Sequence, residues 1–421
     1  MKQAETGKRY FGWKIVLVCS VITLLTVGTR MGIGPFFKPM LDDMGMSRTF
    51  LSFIVALSML AYGLGMPLAG RLVDRHGTRF VLLAGIAIVL VSIIWTVYTR
   101  DLFSFALAYG MLLSIGLSFT SPVAMTPLIS RWFTRQRGKA LFYLATGSMG
   151  GIAIMTPVFS YSIHMLGWRH TLLLLAAMFV LLLVPAVLYV IREDAPEGTD
   201  ELPGRSMKPE KAHASVTAPI RTWTQALTTA PFWQISFGLF VCGFSMNLLG
   251  SHGVPMLTDH GFSDATASFG IGLIGIVAMF STVLLGELSD RLSRKHMLAL
   301  IYAIRGLGFL SLVLIMTTWQ LYVVSMIGGL VWAGSTALSS AILGDIYGVR
   351  WVGVLYGWGY FIHQIGGAIG SFLAGWGYEA FGTHFLSFGM AAALLVLASL
   401  VSLQLPGRRL VETVIPRGNN V

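Results

Sequence analysis

The sequence predicts an all-α membrane protein of twelve transmembrane helices, arranged as two pseudo-symmetric six-helix bundles. Three observations carry this. The 421 residues are 55% hydrophobic and only 11% charged, with mean hydropathy +0.75, whereas a soluble chain carries about 25% charged residues. Pro39-Met40-Leu41-x-Asp43-x-Gly45-x-Ser47 returns 216 residues later as Pro255-Met256-Leu257-x-Asp259-x-Gly261-x-Ser263. The same offset links Gly70-Arg71-Leu72-x-Asp74-Arg75 to Gly286-Glu287-Leu288-x-Asp290-Arg291, and Gly150-Gly151 to Gly366-Gly367. The third observation is a split in Lys and Arg. With both termini in the cytoplasm, 23 basic residues fall on the inner side and 4 on the outer (Lys38, Arg48, Arg100 and Arg169), as the positive-inside rule requires.

The elements follow in order, since an apolar run near 20 residues is long enough to span a bilayer. The first run, 13–37, holds Arg30, with Thr23 and Thr26 on the same helical face. It is longer than the core of a signal peptide, and no small-residue cleavage site follows it. Runs 50–70 and 79–98 flank a short basic loop. Run 102–127 contains Thr120-Ser121-Pro122, where the proline frees a backbone carbonyl. Run 139–164 carries Gly147, Gly150 and Gly151, and small residues let membrane helices approach closely. Run 170–191 closes the first half. Residues 192–225 form the one long polar stretch, expected to be a largely disordered cytoplasmic linker between halves 1–191 and 226–421.

The second half repeats the pattern with runs 231–255, 266–286, 297–317, 319–344, 353–378 and 384–405. Asn247, Ser251 and His252 lie in the first of these, Arg305 in the third, and Trp332, Ser335, Thr336 and Ser339 in the fourth. Tyr360, His363 and Gln364 lie in the fifth. Cys19 and Cys242 both fall within spans, so no disulfide is expected. The net charge of +11 is accounted for by basic loops facing anionic headgroups, without nucleic acid.

The stretch Gly70-Arg71-Leu72-Val73-Asp74-Arg75-His76-Gly77-Thr78-Arg79 closely resembles the signature loop of the major facilitator superfamily. With twelve spans and a long central loop, the resemblance covers the whole chain. Gly12-Trp13, Phe36-Phe37-Lys38-Pro39, Arg131-Trp132-Phe133-Thr134-Arg135-Gln136-Arg137-Gly138-Lys139-Ala140 and His363-Gln364-Ile365-Gly366 are similar to the monocarboxylate porter branch and bacterial organic-anion carriers. The resemblance implies that the first, fourth, seventh and tenth spans line a cavity. It implies that Asp74 and Arg75, with Asp290 and Arg291, act as cytoplasmic gates holding an outward-open state. Well-known members of that branch carry in the eighth span an Arg for the carboxylate and an acidic residue one turn earlier. Here those places hold Thr282 and Ala278.

Positions at which the two copies differ mark candidate chemistry. Arg30 is matched by Met246, His252 by Phe36, His363 by Gly147 and Arg305 by Val89. An Arg at mid-membrane costs on the order of 3 kcal/mol on insertion scales, and none of the 18 acidic residues falls in the middle of a span. An anionic substrate would supply the missing charge, because a guanidinium grips a carboxylate with two parallel hydrogen bonds. Arg30 is thus the expected anion ligand, and Arg305, in a peripheral span, is expected to be structural. His252 and His363 are the expected proton carriers. Thr120, Ser121, Tyr143, Asn247, Trp332, Tyr360 and Gln364 are expected to wall the cavity.

The expected activity is secondary transport of a small organic anion, a monocarboxylate, across the inner membrane by rocking alternating access, with protons as the coupled ion. The alternative is a carrier of a neutral or larger aromatic compound. No metal-ligand cluster, nucleophile motif or phosphate loop is legible, and no soluble domain that would carry a signal, which points away from a membrane enzyme or sensor; no cofactor or metal is expected, and the chain is expected to act as a monomer.

Overall fold

The structure, a computed structural model, describes residues 10–133, 136–194 and 222–406. The described residues form helices joined by short turns, without strands. Eleven helical stretches are long and apolar enough to cross a membrane. The twelfth span, eleventh in order, is the 33-residue helix Val349–Phe381, whose Tyr, Trp, His and Gln residues make it less apolar. The expected linker lies mostly outside the described residues; its last residues hold the short helix Trp223–Ala226.

The two copies start and stop their helices by the same local chemistry. Ser47 and Ser263, 216 residues apart, accept from the backbone N–H of Phe50 and Thr266, at 3.1 and 3.2 Å, as N-cap hydroxyls do. Gly45 and Gly261 precede them at φ +61° and +89°, where a side chain would be strained.

Three spans are not the continuous helices expected. The first ends at Met31, and a separate helix, Gly34–Met44, carries Phe36 and Phe37. The fourth, Leu102–Trp132, breaks at Thr120 and Ser121, because a residue before proline is driven out of the helical region. The tenth, Thr318–Tyr347, breaks at Val331–Ala333 without any proline.

Within each half, close backbone packing joins equivalent helices. A Cβ on Gly151, in the fifth span (Arg137–Leu166), would lie 2.5 Å from the Leu24 carbonyl oxygen of the first. A Cβ on Gly366, in the eleventh, would lie 2.0 Å from the Phe240 oxygen of the seventh (Ala230–Asp259). Only glycine fits at such approaches. The halves meet along two seams: the second span (Arg48–His76) on the eleventh, and the fifth on the eighth (Asp264–Arg291). Polar contacts join the halves at the end that holds the Ser47 and Ser263 caps. Arg48 pairs with Asp259 at 2.6 Å and Lys38 with Asp259 at 2.7 Å. The Thr49 hydroxyl bonds the Glu379 carboxylate, and Ser52 bonds His252 at 2.9 Å.

Candidate substrate-binding site

Arg30 sits in the last turn of the first span, half-buried between the halves. Its guanidinium carbon lies 4.2 Å above the Tyr62 ring. Its Nη2 donates to Gln364 Oε1 at 2.7 Å and to Asn247 Oδ1 at 3.1 Å, and approaches Met59 Sδ at 3.2 Å. The first half thus provides the cation and its aromatic platform, and the second provides two amide oxygens. Asn247 is pre-oriented: its Nδ2 donates back to the Gly243 carbonyl at 2.9 Å, which turns Oδ1 toward Arg30. Snorkelling to the surface is not what Arg30 does.

These partners are all neutral. Among the described residues no acidic side chain forms an ion pair with Arg30. Several buried atoms of the layer lack hydrogen-bond partners: Arg30 Nε, Gln364 Nε2 and both ring nitrogens of His363. The His363 ring is stacked on Tyr360, with centroids 4.8 Å apart and planes 7° from parallel. Buried polar groups are normally paired, so the free N–H groups of Arg30 and Gln364, with the one N–H of a neutral His363, form a ready receptor for acceptor oxygens.

Below Arg30 by one turn, Thr26 bonds Thr120 at 2.9 Å at the break of the fourth span. Ser121, next along, lies beside the Tyr62 side chain. Arg30, Thr120, Ser121, Asn247, Tyr360, His363 and Gln364 are therefore brought to one region. The other candidates are elsewhere. His252 lies in the seam with the second span, both ring nitrogens engaged, by Ser52 at 2.9 Å and Ser251 at 2.8 Å, and its ring rests on Phe37. Tyr143 is 44% exposed near the start of the fifth span, edge-on to Trp13. Trp332 belongs to the break of the tenth span. There Arg305, 2% exposed, donates to the Val331 carbonyl at 2.8 Å and to the Trp332 carbonyl, and contacts Ser335 at 3.3 Å. Arg305 thus replaces the backbone bonds that the break removes.

Asp74 and Arg75 end the second span, exposed; the side chains of Asp290 and Arg291 lie outside the described residues. Glu193 is the residue that ties the signature loop down. It accepts from the Arg79 backbone N–H at 2.8 Å and pairs with Arg131 at 3.3 Å. Sequence reasoning had placed it in the linker. It also missed Met59 and Tyr62. Tyr62 is matched across the repeat by Ala278, so the asymmetry that marked Arg30 marks Tyr62 as well.

The family model for the Major Facilitator Superfamily matches residues 19–370 and 253–417. The chain belongs to the major facilitator superfamily. Among its superfamily relatives, it is 24% identical to the uncharacterized MFS-type transporter YcxA of Bacillus subtilis, over 93% of this chain and 94% of that one. It is 24% identical to human monocarboxylate transporter 11, over 94% and 83%. A solved bacterial homolog of the human lysosomal transporter Spinster, in an inward-facing and occupied conformation, superposes with TM-score 0.69 at 17% identity, covering 94% of this chain and 97% of that one. As a major facilitator protein, this chain is a multi-pass membrane transporter. The eighth-span positions that carry charge in well-known members carry none here: Ala278 is buried, and the Thr282 hydroxyl donates to the Ala278 carbonyl at 2.6 Å within its own helix.

Proposed function

We propose that this transporter moves a small organic anion, a monocarboxylate, across the cytoplasmic membrane, with Arg30 as the anion clamp and both termini inside. The observation that carries the reading is Arg30 itself. It is a guanidinium level with Asn247 and Gln364, midway along the seventh and eleventh spans, bridging the two halves with only neutral partners. A carboxylate entering the layer would displace the amide oxygens and accept two parallel hydrogen bonds, which are stronger to a charged acceptor. Because Arg30 belongs to one half and Asn247 and Gln364 to the other, a ligand there would bias the rocking of the halves. The relatives named as monocarboxylate transporters support this substrate class.

Of the two histidines, His363 is the better proton carrier. Its ring nitrogens are free and adjoin the Arg30 layer, whereas those of His252 are both engaged. One feature favours the second reading, a larger aromatic substrate. The layer holds a stacked Tyr360–His363 pair and the Tyr62 face, and such faces receive flat rings. Uptake of labelled short carboxylates into proteoliposomes, competed by carboxylates and not by the matching amides, tests the proposal. Absence of uptake across a carboxylate panel, with uptake of an uncharged aromatic instead, would overturn it.

A further inference from the structure

Because the halves are copies, the same carboxylate can be compared in two settings. Asp43 and Asp259 are equivalent by the 216-residue offset, as are Trp168 and His384, and Arg169 and Phe385. In the first half, Asp43 accepts from Trp168 Nε1 at 3.1 Å and pairs with Arg169 at 2.8 Å. Its counter-charge comes from its own half. In the second half, His384 stands where Trp168 does and places Nε2 2.9 Å from Asp259. Phe385 cannot supply the counter-charge, and the opposite half does so instead, through Lys38 at 2.7 Å and Arg48 at 2.6 and 3.2 Å. One internal cap has become a latch across the outer seam.

We propose that His384, with Asp259, is a proton-binding site that controls this latch: a proton taken up by His384 on the outer side replaces the two cations that leave Asp259 when the outer face opens. Lys38 and Arg48 depart with the first half, whereas His384 stays beside Asp259. A carboxylate left with a neutral imidazole has no counter-charge; an imidazolium restores one.

In the closed arrangement the His384 ring is 2% exposed, and its Nδ1 has no hydrogen-bond partner. The groups around it are Asp259 and His260 from the seventh span, Arg48 from the second, Lys38 through Asp259, and His252 deeper in the seam. Tyr378 packs on the ring at 4.4 Å and itself carries Arg48 at 3.9 Å. Glu379, next to it, is held by Thr49. Burial, Arg48 and His260 oppose the imidazolium and Asp259 favours it; the result is a pKa below the ordinary histidine value. Opening removes Arg48 and admits water, and both changes raise the pKa. Protons therefore bind the open form more tightly, and stability of the closed latch is lost as the outer pH falls. Trp168, at the equivalent place, never titrates.

The test needs no substrate, so its outcome is independent of the Arg30 reading. Spin labels at D42C and T383C, exposed positions on opposite halves, report the outer gap by electron–electron distance measurement on the full chain in lipid nanodiscs. Acidification from about pH 8 to about pH 5 is expected to enlarge the long-distance population, by at most about tenfold per pH unit, the limit for one proton. H384Q, which keeps an amide donor for Asp259 but cannot be charged, is expected to show no such change. H384W, which restores the pairing of the first half, is expected to behave like H384Q and serves if that variant does not fold. D259N is expected to open at every pH. A wild-type gap that ignores pH, or a histidine variant that titrates like wild type, overturns the proposal.

Discussion

Replacing Arg30 by Gln separates binding from stability. In the empty site Arg30 makes two charge-assisted hydrogen bonds, to Gln364 and Asn247, and one cation–π contact with Tyr62. At about 1.5 kcal/mol for each bond and about 1 kcal/mol for the ring, these contribute about 4 kcal/mol. Holding an unpaired guanidinium at this depth costs on the order of 3 kcal/mol. The two nearly cancel, so R30Q, which keeps an amide donor and removes the charge, is expected to change folding stability by about 1 kcal/mol or less. Ligand binding has no such offset. Removing one partner of a buried charge pair costs about 2–5 kcal/mol, a loss of at least about 30-fold in carboxylate affinity. R30K, a point charge without the fork, is expected to fall between. The assays are thermal unfolding in detergent and labelled-carboxylate uptake by proteoliposomes. Unaltered uptake in R30Q refutes the clamp. Lost uptake with a collapsed melting transition refutes the energetic reasoning.

Other outcomes follow from the same contacts. N247D places a carboxylate at the position 3.1 Å from Arg30 Nη2 but loses the donor to the Gly243 carbonyl; gain and loss are each about 1–3 kcal/mol, so thermal stability is expected to change little while anion uptake is abolished, and retained uptake would move the anion site elsewhere. R305M leaves the Val331 and Trp332 carbonyls unpaired at the tenth-span break, at about 1–3 kcal/mol each; an unchanged unfolding midpoint would show that Arg305 does not hold the break. G366A puts a methyl against the Phe240 oxygen and is expected to cost about 1–3 kcal/mol. G308A, inside the helix Arg294–Leu314 with a Cβ that would meet nothing within 4 Å, is its control and should melt at or slightly above wild type, by up to about 1 kcal/mol.

The spans and the repeat were legible because each is local. A run of apolar residues is long enough or it is not, and Ser47 and Ser263 cap their helices whatever lies nearby. The break at Thr120–Ser121 was half legible from Pro122. The break at Val331–Ala333 was not, because the group that satisfies its carbonyls, Arg305, arrives from another helix. His252 and His363 look alike in sequence. They differ in whether a serine stands within reach of each ring nitrogen, and in the case of His252 one of those serines is 200 residues away.

Hydropathy, charge asymmetry and the 216-residue offset determined that the chain crosses the membrane many times as two related bundles, and that Arg30 breaks their symmetry without a carboxylate at its depth. Only the tertiary structure decided which groups surround that cation. It also decided that Asp43 and Asp259, identical in their local motifs, have different jobs. One carboxylate is neutralised within its own half, the other across the seam. Transfer of a segment into the bilayer is a sum over its own residues, whereas a carboxylate's counter-charge is set by whichever cation the packing of distant helices brings within a few ångströms.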